Sequence, residues 1–203
     1  MTLVGVTQRS LPPDRFGERR YALDARWFAF LAACGLTPVP LPNAADLALR
    51  TAGAADLRGV LLTGGDDLAE YGGPSPERDR TELRLLRWAV DRDVPVLGVC
   101  RGMQVILRAH GAPLVPVGGH VAVRHPVVTA DGGRREVNSY HRMAARSVPA
   151  PLEVTARCGD VVEAVRHRAA RVAGIMWHPE RETAFHPDDV RAVGALLGGG
   201  GER

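Results

Sequence analysis

"VPVLGVCRGMQVI", residues 94–106, decides how the chain is read. An almost wholly apolar run ends in Gly98, and a single thiol, Cys100, follows at equal distance from Gly98 and Gly102. The run reads as a buried strand, and "RGMQVILRAHG" after it has helical spacing that closes at Gly111. The cysteine therefore stands where strand gives way to helix, projecting from the carboxyl end of a sheet on a tight turn. This is the G-x-C-x-G form of a nucleophile elbow. Glycines flank the thiol because a strained turn leaves no room for side chains on either side. A helix N-terminus, with its dipole and free N–H groups, favours the reactive thiolate. The alternative is an inert small core residue.

Outward from this turn the apolar segments alternate in kind. "LVGV" at 3–6 is strand-like, and "YALDARWFAFLAACG" from Tyr21 has helical spacing closing on Gly35, with Trp27, Phe28 and Phe30 as core residues. "TPVPLP" and "GVLLTGG" read as strands, and "PERDRTELRLLRWAVDRD" as an amphipathic helix with Pro76 just ahead of its start. "HPVVTA", "EVNSYH", "LEVTAR", "VVEAVRH" and "VAGIMWH" form a later series of shorter strands, and "PDDVRAVGALLG" a last helix. The pattern predicts an α/β fold: a mostly parallel sheet with helices on both faces and a small antiparallel patch. One domain is expected over 1–198, with a disordered tail at 199–203.

The chain has 203 residues, 45% of them hydrophobic, enough for one sizeable core. No apolar run reaches the roughly 18 residues of a membrane span, and no leader-like segment opens the sequence, so a soluble cytoplasmic protein is expected. Cys34, Cys100 and Cys158 are too few and too scattered for a disulfide framework. The net charge is only +3, with acidic and basic residues interspersed, which argues against nucleic acid as a partner. All 26 basic residues are arginine, which excludes a Schiff-base or P-loop lysine. The seven histidines contain no HxH or HxxxH pair, so no metal is expected, and acyl-transfer chemistry at a thiol requires no organic cofactor.

A thiolate needs a base, and "GIMWHPERE" supplies a candidate. In extended backbone residues i and i+2 point the same way, so Glu180 is placed to orient His178 and stabilise its protonated form. Taken alone, H-x-E is a common surface pair. In "GVLLTGGDDLAEYGG" a glycine loop follows a buried strand and is placed to turn a backbone N–H toward a developing oxyanion, with the N–H of Arg101 as second donor. A simple tight turn is the more frequent meaning of such a glycine pair. Each element is ambiguous alone, yet all three occur in a workable order on an α/β pattern.

With these blocks in hand, the sequence resembles the class I glutamine amidotransferase superfamily, and within it the γ-glutamyl hydrolases. "GVLLTGGDDLAEYGG", "ERDRTELRLLRWAVDRDVPVLGVCRGMQVI", "VNSYH" and "VEAVRHRAARVAGIMWHPE" look like that family's successive blocks in its order. The resemblance implies a flavodoxin-like fold. It also implies Cys100 as nucleophile, His178 as general base and acid, Glu180 as its orienting partner, and Gly65 with Arg101 as oxyanion hole. Gln104 and the segment Asn138, Ser139, Tyr140 and His141 match positions where the superfamily holds the glutamyl moiety. Two departures stand out: Arg101 replaces the usual apolar residue, which favours the stand-alone hydrolases, and the chain is shorter than hydrolases of γ-glutamyl-GABA. "GVTQR", "ERRYALDARW", "GGDDL", "NSYH" and "GIMWHPERE" look closer to the compact γ-glutamyl-CDP-amidate hydrolases.

The implied reaction is two-step acyl transfer through a γ-glutamyl thioester on Cys100, with a small γ-glutamyl amide as substrate. Arginine is the natural partner for a phosphorylated leaving group, and Arg9, Arg19 and Arg20 lie near the end of the first strand, though each also reads as a solvated surface residue. His141 reads equally as a substrate contact or a structural hydrogen-bonding residue. Trp177 is expected to face away from the site and pack the strand that carries the base. A glutaminase subunit feeding ammonia to a synthetase would share every catalytic residue. A binding protein on the same scaffold, or a redox or chaperone protein with an elbow cysteine, would have no need of the late H-x-E.

Overall fold

The computed structural model describes residues 1–199; of the expected tail only Gly199 falls among them. In chain order the elements are β1 (Thr2–Val6), β2 (Arg9–Ser10), β3 (Tyr21–Ala22), α1 (Arg26–Ala33), β4 (Leu36–Pro40), α2 (Ala45–Ala54), β5 (Gly59–Leu62), α3 (Pro76–Val90), β6 (Val96–Val99) and α4 (Arg101–Ala109). Then come β7 (Val115–Pro116), β8 (Val121–Thr129), β9 (Arg134–Tyr140), β10 (Met143–Ala144), β11 (Leu152–Cys158), β12 (Val161–His167), β13 (Val172–Ile175) and α5 (Pro187–Leu197). Single 3-10 turns sit at Ala69–Tyr71 and Pro179–Arg181. No helix among the described residues is long and apolar enough to cross a membrane.

Nine strands form one sheet in the order β4-β1-β5-β6-β13-β12-β11-β8-β9. The first five run parallel and the last four continue the same sheet antiparallel, with β13 as the seam between the two parts. Two two-stranded antiparallel pairs, β2-β3 and β7-β10, lie outside it. The fold is thus the expected α/β layering, and its antiparallel strands extend the main sheet.

Side-chain alternation along the buried strands divides the core. Val60, Leu62 and Val96 point to the face covered by α2, α3 and α4, where they meet Ala48, Leu85, Met103 and Ile106. Leu61, Leu97 and Val99 point to the opposite face, against Trp27, Phe30 and Leu31 of α1 and Val193 and Leu197 of α5. Trp177 joins a third cluster with Val127, Val137, Ala156 and Ala164 on the antiparallel part.

Local readings need three corrections. The first helix begins at Arg26, not near Tyr21, because Tyr21 and Ala22 pair with Ser10 and Arg9 and the Asp24 carboxylate accepts the Arg26 N–H at 3.0 Å. Phe28 is exposed while Trp27 and Phe30 are buried, since only one stripe of α1 faces the sheet. Helix α2 had no reading as an element at all: it buries only Ala48 and Ala52, so it shows little apolar periodicity.

Candidate active site

Cys100 follows the last residue of β6 directly and caps α4, in a backbone conformation of φ +52° and ψ −103° that L-residues rarely adopt. Close approach explains both flanking glycines. A Cβ on Gly98 would lie 2.5 Å from the Gly102 backbone, and one on Gly102 would run into the Leu62 carbonyl. The Cys100 N–H donates to Ile175 O at 2.7 Å, tying the turn to β13. Within α4 the first N–H to find a carbonyl is that of Gln104, on Cys100 O at 3.1 Å, so the earlier N–H groups, starting with Arg101, have no intrahelical acceptor.

Since β13 lies beside β6, the chain leaving β13 brings His178 over the thiol. A Cβ on Gly64 would stand 2.5 Å from His178 Cε1, 3.3 Å from its Nε2 and 3.4 Å from Cys100 Cβ, so glycine backbone, imidazole and cysteine converge there. On the far side of the ring, His178 Nδ1 is 2.7 Å from Glu180 Oε1, with both residues buried. Burial works against the charged imidazole. The Cys100 thiolate, the hydrogen bond to that sulfur and the Glu180 carboxylate outweigh it and raise His178 to about 9. The backbone of His178 is held as well: its N–H donates to Asn138 Oδ1 at 2.9 Å, and Asn138 Nδ2 donates to His178 O at 2.8 Å.

The glycine loop after β5 is fastened to the elbow by a buried ionic network that had no counterpart in the sequence reading. Arg101 pairs with Glu82 and Asp79. Glu82 also accepts from Arg78 Nε at 2.8 Å and from Thr7 Oγ1 at 2.7 Å. Arg78 Nη2 then donates to Thr63 O at 2.8 Å and Gly64 O at 3.1 Å. Burial alone would raise the Glu82 carboxyl; Arg101 and Arg78 reverse this and hold it below the usual range. Gly65, at φ +89°, turns the loop in a conformation glycine favours, and Arg9 fills the space a Cβ would need. The result is a thiol with a carboxylate-oriented imidazole on one side and two backbone turns beside it, a set able to attack and cleave an acyl group.

Residues 38–189 match the family model for class I glutamine amidotransferases. The chain belongs to this family. It is 29% identical over 189 residues to a protein from Campylobacter jejuni named gamma-glutamyl-CDP-amidate hydrolase, covering 90% of this chain and 92% of that one. It is also 29% identical over 206 residues to a gamma-glutamyl-gamma-aminobutyrate hydrolase from Escherichia coli O157:H7, covering 81% and 80%. In three dimensions it superposes on a glutamine amidotransferase from Thermotoga maritima with a TM-score of 0.66 at 15% identity, over 88% of this chain and 76% of that one.

In this member of the amidotransferase family the thiol opens into a cleft of about 370 Å³, lined among others by Gly65, Cys100, Gln104, Tyr140 and His178. A second cleft of about 280 Å³ adjoins it across His178 and shares Arg9, Gly65 and Arg181. Gln104 Nε2 is spent on Met143 O at 2.9 Å. Asn138 and Ser139 are corrections to the expected glutamyl contacts. Asn138 clamps His178 and Glu182, and the buried Ser139 hydroxyl donates to His120 O at 2.8 Å, so neither lines the cleft. Tyr140 does line it, with its ring edge-on to His178 at 5.7 Å. His141 borders the cleft, yet its Nε2 is turned to Glu163 at 3.3 Å.

Of the arginines, Arg9 lines both clefts with Nη2 on Asp66 at 2.7 Å, whereas Arg19 is bound to Glu77, and Arg20 to Asp14 and Glu18, away from them. Arg142 and Arg181 line the cleft without having been singled out from sequence. Arg181 follows the H-x-E directly and lies 4.6 Å over the Tyr140 ring, a position readable once the strand-to-turn geometry is known. A separate cleft of about 1050 Å³ lies at the other end of the sheet among Thr2, Arg58, Arg92 and Arg171, at the amino ends of the parallel strands and away from the thiol.

Proposed function

We propose that the protein is a stand-alone γ-glutamyl amide hydrolase whose leaving amine carries a phosphate or diphosphate, as in a γ-glutamyl-CDP-amidate. The observation that carries this reading is the ring of Arg9, Arg142 and Arg181 around the cleft into which Cys100 opens. Cationic forks lining the same cleft as the nucleophile suit a leaving group with phosphate oxygens better than the bare ammonia of glutamine. The similarity to the Campylobacter protein over nine-tenths of both chains supports the same choice.

In the proposed reaction the Cys100 thiolate attacks the γ-carbonyl carbon, and the Gly65 and Arg101 N–H groups receive the oxyanion. The His178 imidazolium passes its Nε2 proton to the amine as the C–N bond breaks, leaving a γ-glutamyl thioester. Water then attacks the thioester carbonyl and gives a proton to His178. Expulsion of the thiolate yields glutamate, and the imidazolium faces the thiolate again. Glu180 orients the ring throughout and stabilises its charge. Asn138 positions the backbone of the base, and Arg78, Glu82 and the Arg101 side chain position the oxyanion donors.

The test is glutamate release by the purified protein from γ-glutamyl-CDP-ethanolamine, γ-glutamyl-GABA and glutamine side by side, with Cys100→Ala as blank. Preference for the CDP-linked amide, with Arg9→Ala raising its KM about tenfold and leaving glutamine turnover unaffected, is the expected result. Preference for γ-glutamyl-GABA would keep the hydrolase and remove the phosphate contact. Turnover of none would turn the assignment to a glutaminase subunit that needs its synthetase.

A further inference from the structure

Behind the Tyr140 wall of the cleft, three histidines and one glutamate meet inside the antiparallel part of the sheet. His120 precedes β8, His125 lies within it, His141 follows β9, and Glu163 sits on β12. All four are more than nine-tenths buried. Glu163 Oε1 is 3.2 Å from His120 Nδ1, 3.3 Å from His141 Nε2 and 3.5 Å from His125 Nε2, and His120 Nδ1 is 3.1 Å from His125 Nε2. One donor atom from each residue lies within 4.8 Å of all the others.

We propose that His120, His125, His141 and Glu163 form a tetrahedral site for a divalent transition ion of the zinc type. The spacing carries the argument first. Ligand atoms 2.0–2.1 Å from a tetrahedral zinc stand about 3.3 Å from one another, and four of the six separations here run from 3.1 to 3.5 Å. Polar satisfaction carries it second. Both ring nitrogens of His141 and both carboxylate oxygens of Glu163 are buried without a hydrogen-bond partner, and a cation at the point of convergence supplies one to His141 Nε2 and to Glu163 Oε1. The donor chemistry is third: three imidazoles and one carboxylate suit zinc or its neighbours and not calcium or magnesium, which ask for oxygen ligands.

Outer contacts fit the same role. His125 Nδ1 faces Pro126 O at 3.4 Å, which leaves Nε2 directed inward as a lone pair, and the Ser139 hydroxyl and His141 N–H both donate to His120 O, at 2.8 and 3.0 Å. That assigns the otherwise unexplained Ser139 a task. With four protein ligands the site is closed, so the ion acts as a staple joining β8, β9 and β12 and fixing the cleft wall, with no part in the acyl transfer.

The experiment measures metal in protein purified without a histidine tag, by elemental mass spectrometry, before and after equilibration with Zn²⁺ and removal of the excess. About one zinc per chain is expected in the wild type and in Cys100→Ala, and less than about a tenth in Glu163→Gln and His125→Gln. Co²⁺ added to metal-free protein should give the intense visible absorption of a tetrahedral site without thiolate charge transfer. Circular dichroism establishes that the variants are folded; if either fails to fold, the other variant and the wild-type Co²⁺ spectrum still decide. A chelator should lower the wild-type Tm by several degrees and leave that of Glu163→Gln unmoved. Folded wild type that retains less than about a tenth of an equivalent and gives no tetrahedral cobalt band overturns the proposal. So does zinc that disappears with Cys100→Ala and survives Glu163→Gln, because the ion would then sit on the catalytic thiol.

Discussion

Cys100 pays for its exposure to the cleft in backbone strain. A non-glycine residue at φ +52° and ψ −103° costs about 1–3 kcal/mol, and only the Cβ makes it costly. Cys100→Gly should therefore unfold in urea about 1 kcal/mol later than Cys100→Ala, while both lose turnover by at least about a thousandfold. Burial pushes the Cys34 thiol up to about 11 and raises that of Cys158 as well, so iodoacetamide at neutral pH should modify Cys100 ahead of either. His178 is shifted the other way in charge: its raised value keeps the ring protonated at neutral pH, as the proposed donor to the leaving amine must be. The stability linked to that proton is complete below pH 6.5 and disappears as the pH rises through about 9, and the rate of acylation should fall over the same upper limb. Titration of His178 by NMR in Cys100→Ala should give a lower midpoint, because the thiolate that sustains the charge is gone; an unchanged midpoint would refute the coupling.

Among the elements, α3 does the least expected work. Its first turn carries Glu77 and Asp79 and its last Arg87, matching the helix dipole, but its inward face holds Arg78 and Glu82 as well as leucines. A helix that buries an arginine and a glutamate needs partners for both, and the loop carbonyls at Thr63 and Gly64 together with Arg101 provide them. Arg78→Met should destabilise the fold by about 3–5 kcal/mol and reduce kcat more than it changes KM, as Glu82 loses a partner and the glycine loop is released. Equal stability to wild type in a denaturant titration would show the network to be dispensable. The sequence pattern made α3 legible as an amphipathic helix, yet the charged pair within its buried stripe could be understood only after β5 and α4 were in place beside it. Helix α2 was illegible for a simpler reason, since alanines bury without leaving a strong apolar period.

At the scale of the whole molecule, the parallel strands and the elbow were readable because each is a local pattern: apolar runs of strand length, each closed by a turn. The His178 and Glu180 pair was readable for the same reason, being two residues apart. Ser139 differs from its expected contact because alternation on β9 turns it to the face opposite Tyr140, and Asn138, on the same face as Tyr140, because its amide is spent on His178 and Glu182. The histidine and glutamate cluster was invisible to a spacing rule, as its members come from β8, β12 and the residues just before β8 and just after β9. What sequence conveys well here is chemistry carried on a single turn, and what it conveys poorly is chemistry assembled across a sheet.

The seam strand β13 carries one more consequence, in the order of synthesis. A ribosome releases the four parallel strands β1, β4, β5 and β6, with Cys100 at the end of the last, well before it reaches the segment that follows β13. Until Ile175 accepts the Cys100 N–H and the chain turns through His178, the nascent polypeptide holds the proposed nucleophile without its proposed base. On the proposed reading, seating β13 against β6 is thus the step that brings the base to its nucleophile.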